Sequence, residues 1–193
     1  MDTIHATPRT SGPGAARSRL LAILLLLPLL SGCFPAGGDS GSSRQRDSSV
    51  KGASSSRKVS PSSRDAQEAF RLVNDERSKR GMQSLGRRAD LDAVAYAHAR
   101  DLVRMNKLNH ISSDGRQLEH RLGKLEWELA GENLARNKGF DSPAREAVKG
   151  WINSPKHFEN MFRPEFSQTG MAALYDSESG FTYFVQVFIV PIR

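Results

Sequence analysis

The chain has 193 residues, a formal net charge of +7 and one cysteine. This length supports one domain of ordinary size. Most of the excess positive charge lies in the first third of the chain, and residues 64–193 carry only +2. A nucleic-acid-binding domain concentrates Lys and Arg on one face with stacking aromatic residues nearby, and this sequence has no such pattern, so we expect no nucleic-acid partner.

Residues 1–32 have the organisation of a secretion signal. Arg17 and Arg19 precede an apolar run over residues 20–30, which is too short to span a membrane. The run ends in the sequence LSGC at Cys33. This segment resembles the bacterial lipobox, in which a small residue precedes a cysteine that becomes linked to diacylglycerol. The alternative is an ordinary signal peptide with a leftover thiol, and the position of the single cysteine favours the lipobox.

The lipobox resemblance implies that Cys33 becomes the lipid-modified N-terminus of an extracytoplasmic protein. Two or three acyl chains on one residue, at about 0.8 kcal/mol per buried methylene, are enough for stable membrane anchoring. Phe34, in place of Asp after the cysteine, implies the outer membrane if the cell envelope has two membranes. Because lipid consumes the cysteine, we expect the domain to be held together by its hydrophobic core without disulfides.

Residues 33–63 are predicted to be a disordered tether. They are dense in Ser, Gly and charged residues and contain almost no large apolar side chains, so burial cannot offset the entropy of ordering them. The basic residues can contact anionic lipid head groups, but a solvated spacer is the simpler interpretation. The folded domain is then expected over residues 64–193.

A helical pattern begins at the end of the tether. Ser62 and Asp65 have capping-box spacing, and apolar residues at helical intervals predict a first helix that stops at Gly81. Asp90 is expected to cap a second helix. His98 falls in the apolar stripe of that helix, which favours a core histidine.

Two more helices and a hairpin complete the predicted elements. A short helix is predicted over residues 116–122, and another begins at Ser142 with Pro143 in its first turn and Trp151 in the core. A Ser-Pro pair at 154–155 ends it and starts a new turn.

Two C-terminal segments, residues 169–175 and 181–189, are rich in β-branched and aromatic residues and are separated by a hairpin loop. Helices followed by an antiparallel hairpin predict an α+β fold with helices packed on a small sheet. No G-x-S-x-G, H-E-x-x-H, P-loop or dinucleotide fingerprint occurs in the sequence.

Five motifs occur in an order that resembles the CAP superfamily of cysteine-rich secretory, antigen 5 and pathogenesis-related proteins, in its bacterial SCP-like extracellular branch. They are LVNDERSKRGMQSL, LNHISSDG, AGENLA, WINSPKHFENMF and FTYFVQVF. Together they extend over nearly the whole domain. The resemblance implies a three-layer α/β/α sandwich with a central antiparallel sheet and a large open cleft. In that cleft two histidines and two acidic residues face one another and can hold a divalent metal.

Carried over by position, His110, Glu132 and His157 match the two histidines and the first acidic residue, with Ser154 and Asn160 as accessory cleft positions. The second acidic residue has no counterpart, because Ser154 stands at its place. Two imidazoles and a carboxylate are the ligand set of an open zinc site. The alternative is a hydrogen-bonded polar cluster that orders loops without metal.

Three smaller expectations concern the same motifs. If Ser154 caps the following turn, His157 lies near the positive end of that helix, which favours a neutral imidazole. In the AGENLA motif, Gly131 is expected to fit a turn and Asn133 to bond the local backbone.

Two classes of function remain open at this point. The favoured one is a binding module of the cell envelope that presents its cleft to a lipid, glycan or peptide, because no nucleophile and base are assembled in the sequence. The alternative is a metal-assisted hydrolase of peptides or cell-wall material, with Glu132 as base or ligand and the histidines holding the ion.

Overall fold

The computed structural model describes residues 59–192. The predicted signal peptide, Cys33 and most of the predicted tether lie outside these residues. No helix within the described range is long and apolar enough to cross a membrane. The elements in chain order are β1 (Val59–Pro61), α1 (Ser63–Ser78), β2 (Gly86–Arg87), α2 (Ala89–Met105), α3 (Leu118–Leu122), β3 (Leu129–Asn137), α4 (Pro143–Ile152), α5 (Pro155–Phe162), β4 (Gln168–Asp176) and β5 (Phe181–Val190).

These strands form one sheet in the order β1-β4-β5-β3, with the short β2 beside β4. All pairings are antiparallel except that of β2 with β4. β4 and β5 form the predicted C-terminal hairpin, and β3 pairs with β5 from Leu129 opposite Val190 to Asn137 opposite Thr182. β3 is therefore an edge strand, and the candidate site lies around it.

Helices cover both faces of the sheet, which confirms the predicted α+β sandwich. α2 and α3 pack on one face, and α1, α4 and α5 pack on the other. Because side chains alternate along a strand, Val185 and Val187 of β5 belong to the first apolar layer, whereas Phe184 and Phe188 belong to the second. Trp151 is 1% exposed in the second layer, as predicted.

The predicted helix starts are confirmed at two of three positions. Ser62 caps α1 by accepting the Asp65 backbone N–H at 3.3 Å, and Ser142 caps α4 in the same way. The prediction for Asp90 was wrong, because α2 already begins at Ala89, with Arg88 as its N-cap. The carboxylate still lies in the first turn, where it stabilises the positive end of the helix.

The centre of β3 is the AGENLA motif, which the sequence pattern did not identify as a strand. Gly131 does not occupy a turn; an added Cβ there would lie 3.0 Å from the Phe166 ring and 3.2 Å from Asn160 Oδ1. Asn133 does not bond the local backbone either, since its Nδ2 donates to the carbonyl of His157 at 3.0 Å. Both expectations were wrong because the partners come from distant parts of the chain.

Arg77 ties α1 to the segment between α5 and β4. It is 1% exposed, and its guanidinium donates to the carbonyls of Gln83 at 2.8 Å, Met161 at 2.8 Å and Phe166 at 3.2 Å. Burial lowers the pKa of Arg77. These hydrogen bonds offset the cost of burying the cation and fix the start of β4.

Replacing Arg77 with Met should lower the free energy of unfolding by about 3 kcal/mol, because it leaves buried carbonyls without a donor. Urea denaturation of the full chain measures this loss. Arg71→Met is the matched control, since Arg71 lies on the same helix in an exposed ion pair with Asp75 and such pairs contribute little. Equal losses for the two variants would contradict this role of Arg77.

Candidate functional site

Glu132 is the centre of the candidate site. It lies on the β3 face that packs against α2 and α3, and its side chain has no exposed surface. Its Oε1 accepts a hydrogen bond from His110 Nδ1 at 2.8 Å, and its Oε2 accepts one from Arg121 Nη2 at 2.5 Å. Burial by itself raises the pKa of Glu132, but the His110 hydrogen bond and the Arg121 charge more than compensate and lower it below its usual value. The carboxylate is therefore ionised at neutral pH.

Arg121 is a site residue that the sequence reasoning missed. Its side chain on α3 is only 4% exposed. Besides Glu132, it donates through Nη1 to the carbonyl of His110 at 2.8 Å and to Ser112 Oγ at 3.3 Å. One guanidinium thus binds the buried carboxylate and also holds the loop that carries His110. A chemical argument could have found Arg121, because a buried carboxylate needs a cationic partner. Arg121 lies between His110 and Glu132 in the sequence.

His98 is a core histidine, as predicted, and is 1% exposed. Its ring also lies beside the site, with Nε2 at 3.7 Å from Glu132 Oε1. Nε2 donates to the Asn109 carbonyl at 3.0 Å, so Nδ1 is the acceptor for the Ser112 hydroxyl at 3.3 Å. Burial lowers the pKa of His98, and the Glu132 charge opposes this only in part. The neutral ring supports the loop that precedes α3.

His157 approaches the site from the other face of the sheet. It is the third residue of α5, whose N-cap is Ser154, and it is 6% exposed. Asn160 Nδ2 donates to the Glu132 carbonyl at 3.2 Å and to Asn133 Oδ1 at 3.0 Å. Since Asn133 also binds the carbonyl of His157, two side-chain amides fasten α5 to β3.

The position of His157 in the first turn of α5 agrees with the sequence interpretation, but the Ser154 hydroxyl makes no capping bond. Burial lowers the pKa of His157 to about 4, with a smaller effect in the same direction from the nearby His110 ring. Within residues 59–192 its ring makes no hydrogen bond to another residue. His157 is therefore a neutral imidazole at neutral pH, with ring nitrogens that are not engaged by the described part of the chain.

The arrangement brings His110 and Glu132 into contact and places His157 across the edge of β3. Among residues 59–192, no group of three or more His, Cys, Asp or Glu side chains is arranged to hold a metal ion. Both Glu132 oxygens are already bonded. The zinc site suggested by the residue types stays a prediction, which a titration with zinc tests.

Residues 70–188 match the Cysteine-rich secretory protein (CAP) family, and the sandwich carries the expected histidines and glutamate around its edge strand. The chain belongs to this family.

Similar proteins come from several bacteria. The Uncharacterized protein YkwD of Bacillus subtilis (strain 168) is 33% identical over 103 residues, which is 52% of this chain and 38% of YkwD. The match thus covers well under two thirds of that relative. An extracellular protein containing an SCP domain from Bacillus anthracis str. Ames is 31% identical, with a TM-score of 0.57 over 65% of this chain and 40% of that one. An outer surface protein from Borrelia burgdorferi shares the fold, with a TM-score of 0.63 and 21% identity over 70% of this chain and 99% of that one.

Acidification should destabilise the domain through His157. Its pKa of about 4 in the folded chain lies below the ordinary value of 6.5, so protons bind the unfolded chain more readily. The contribution of His157 to the free energy of unfolding is complete above pH 6.5 and is lost as the pH falls towards 4.

Thermal unfolding of the full chain across this pH range measures the effect, and His157→Asn should show a shallower loss of Tm than the wild type. His120→Asn is the matched control, since His120 is exposed on α3. An unchanged slope in His157→Asn would contradict the assignment.

Proposed function

We propose that this chain is a lipid-anchored binding module of the bacterial cell envelope, which presents the cleft of His110, Glu132 and His157 to a lipid, glycan or peptide. The extracellular and outer-surface relatives support an extracytoplasmic location. The lipobox-like sequence at Cys33 supports a membrane anchor, and Phe34 supports the outer membrane if there are two membranes.

The observation that carries the binding proposal is the buried pairing of Glu132 with His110 and Arg121. Both Glu132 oxygens accept charge-assisted hydrogen bonds, and the side chain has no exposed surface, so the carboxylate is directed at His110 and Arg121 and away from a ligand. The role left for this carboxylate is to orient His110, which donates through Nδ1 and keeps Nε2 for a ligand. His157 offers a second neutral ring. A cleft whose polar groups are fixed in advance binds its ligand with a small ordering cost.

A hydrolase is the second candidate, and one feature supports it: a histidine oriented by a carboxylate is the arrangement of a general acid or base. Ser112 is a poor nucleophile for it, because this serine is 7% exposed and its hydroxyl pairs with His98 and Arg121. Hydrolysis would then depend on zinc or a similar divalent ion. The side chains best placed to hold it are His110 and His157, since Glu132 is buried and paired with His110 and Arg121.

A calorimetric titration of the full chain with zinc chloride at neutral pH separates the two functions. We expect weak binding at most, because two imidazoles without a free carboxylate form an incomplete site. His110→Ala and His157→Ala should each remove any such binding. Stoichiometric zinc binding that is lost in both variants, together with zinc-dependent cleavage of peptides or cell-wall fragments, would favour the hydrolase over the binding module.

The anchor is tested separately. Cys33→Ser should abolish incorporation of labelled palmitate and leave the unprocessed precursor, because the thioether cannot form. Ser42→Ala in the predicted tether is the control and should be lipidated like the wild type. Lipidation of the Cys33→Ser chain would disprove the anchor.

A further inference from the structure

A pocket lies away from the candidate site of His110, Glu132 and His157, at the far end of β3. It has a volume of about 340 Å³ and is bordered by the start of α1, the loop between β3 and α4, and the hairpin of β4 and β5. This volume is at the lower end of the range for small-ligand sites. Asn137 in its lining is five residues beyond Glu132 along the strand, which corresponds to about 16 Å.

Two exposed aromatic side chains line this pocket. Phe140 is 49% exposed and Tyr175 is 42% exposed. Pro61 and Pro143 add rigid apolar surface to the same lining. Flat apolar rings that stay exposed beside a pocket are available to a ligand that has a flat apolar face of its own.

The polar groups of the pocket are mixed in type and nearly balanced in charge. Asn137 Nδ2 donates to the Pro143 carbonyl at 2.8 Å, and its buried Oδ1 has no donor among the described residues. Asp65 contributes a half-buried carboxylate, which accepts the Ser62 hydroxyl at 2.5 Å. Lys138 contributes an ammonium that donates to the Ser179 carbonyl at 2.8 Å. Buried acceptors are normally paired, so Asn137 Oδ1 favours a ligand that brings an N–H or O–H group.

We propose that this pocket binds a glycan through an N-acetylhexosamine residue. A pyranose ring has an apolar C–H face that can lie on Tyr175 or Phe140, and hydroxyl groups at its edge that can pair with Asp65 and Lys138. The acetamido group supplies both an N–H donor for Asn137 and a methyl group for the proline surface. A lipid chain would leave Asn137 Oδ1 without a donor and would cover the charges of Asp65 and Lys138 with apolar surface, which disfavours a lipid here.

Calorimetric titration of the full-length chain in detergent with chitotriose, the β-linked trimer of N-acetylglucosamine, tests this site. The wild type should give saturable heat, and Tyr175→Ala and Phe140→Ala should each weaken binding at least tenfold. Cellotriose, which has hydroxyl groups where chitotriose has acetamido groups, should bind at least tenfold more weakly than chitotriose. Tyr96→Ala is the matched control, because Tyr96 is an aromatic residue on α2 with 36% exposure that does not line the pocket.

Circular dichroism of each variant checks that the fold is retained, as the high exposure of both rings leads us to expect. No heat with the wild type, or undiminished binding by Tyr175→Ala and Phe140→Ala, would overturn the proposal. Loss of chitotriose binding in His157→Ala would place the sugar in the cleft and overturn it as well. Trialanine binding that depends on Tyr175 and exceeds chitotriose binding would identify a peptide site instead.

Discussion

The Glu132 carboxylate has no exposed surface, so it needs a positively charged partner and hydrogen-bond donors inside the protein. Arg121 neutralises it from α3, and His110 donates a hydrogen bond to it from the loop that precedes this helix. The same guanidinium holds the His110 carbonyl, so the loop position and the carboxylate charge are coupled. Removing either partner would leave a buried charge and loosen the loop.

β3 makes specific contacts with the helices on both faces of the sheet. Successive side chains of a strand point to opposite faces, so Glu132 meets the layer of α2 and α3 while Asn133 meets α5. Gly131 allows Phe166 and Asn160 to approach the strand closely. A single edge strand therefore fixes His110 on one face and His157 on the other. Side chains held in this way are ordered before any ligand arrives, which supports the proposed binding module.

The elements that could be predicted from the sequence are those determined by residues close together in the chain. Ser62 and Ser142 predict helix starts because a cap bonds a residue three positions away. The C-terminal hairpin could be predicted because its strands are rich in β-branched and aromatic residues, which suits strands that are buried on both faces. β3 escaped prediction because glycine and asparagine disfavour strands, and the long ladder with β5 overrides that preference. The pairing of His110 with Glu132 joins positions far apart in the chain, so only the family resemblance brought them together. Arg121 could not be predicted from the sequence pattern, because an ion-pair partner has no characteristic periodicity.

The state of the His110 ring tests this arrangement most directly. Long-range proton–nitrogen NMR of the nitrogen-15-labelled full chain at neutral pH reports which ring nitrogen carries the proton. If ionised Glu132, held by Arg121, accepts from His110, the His110 Nδ1 is protonated and hydrogen-bonded, and this signal is lost in Glu132→Ala. A His110 ring in the wild type with a bare Nδ1 and its proton on Nε2 would contradict the arrangement.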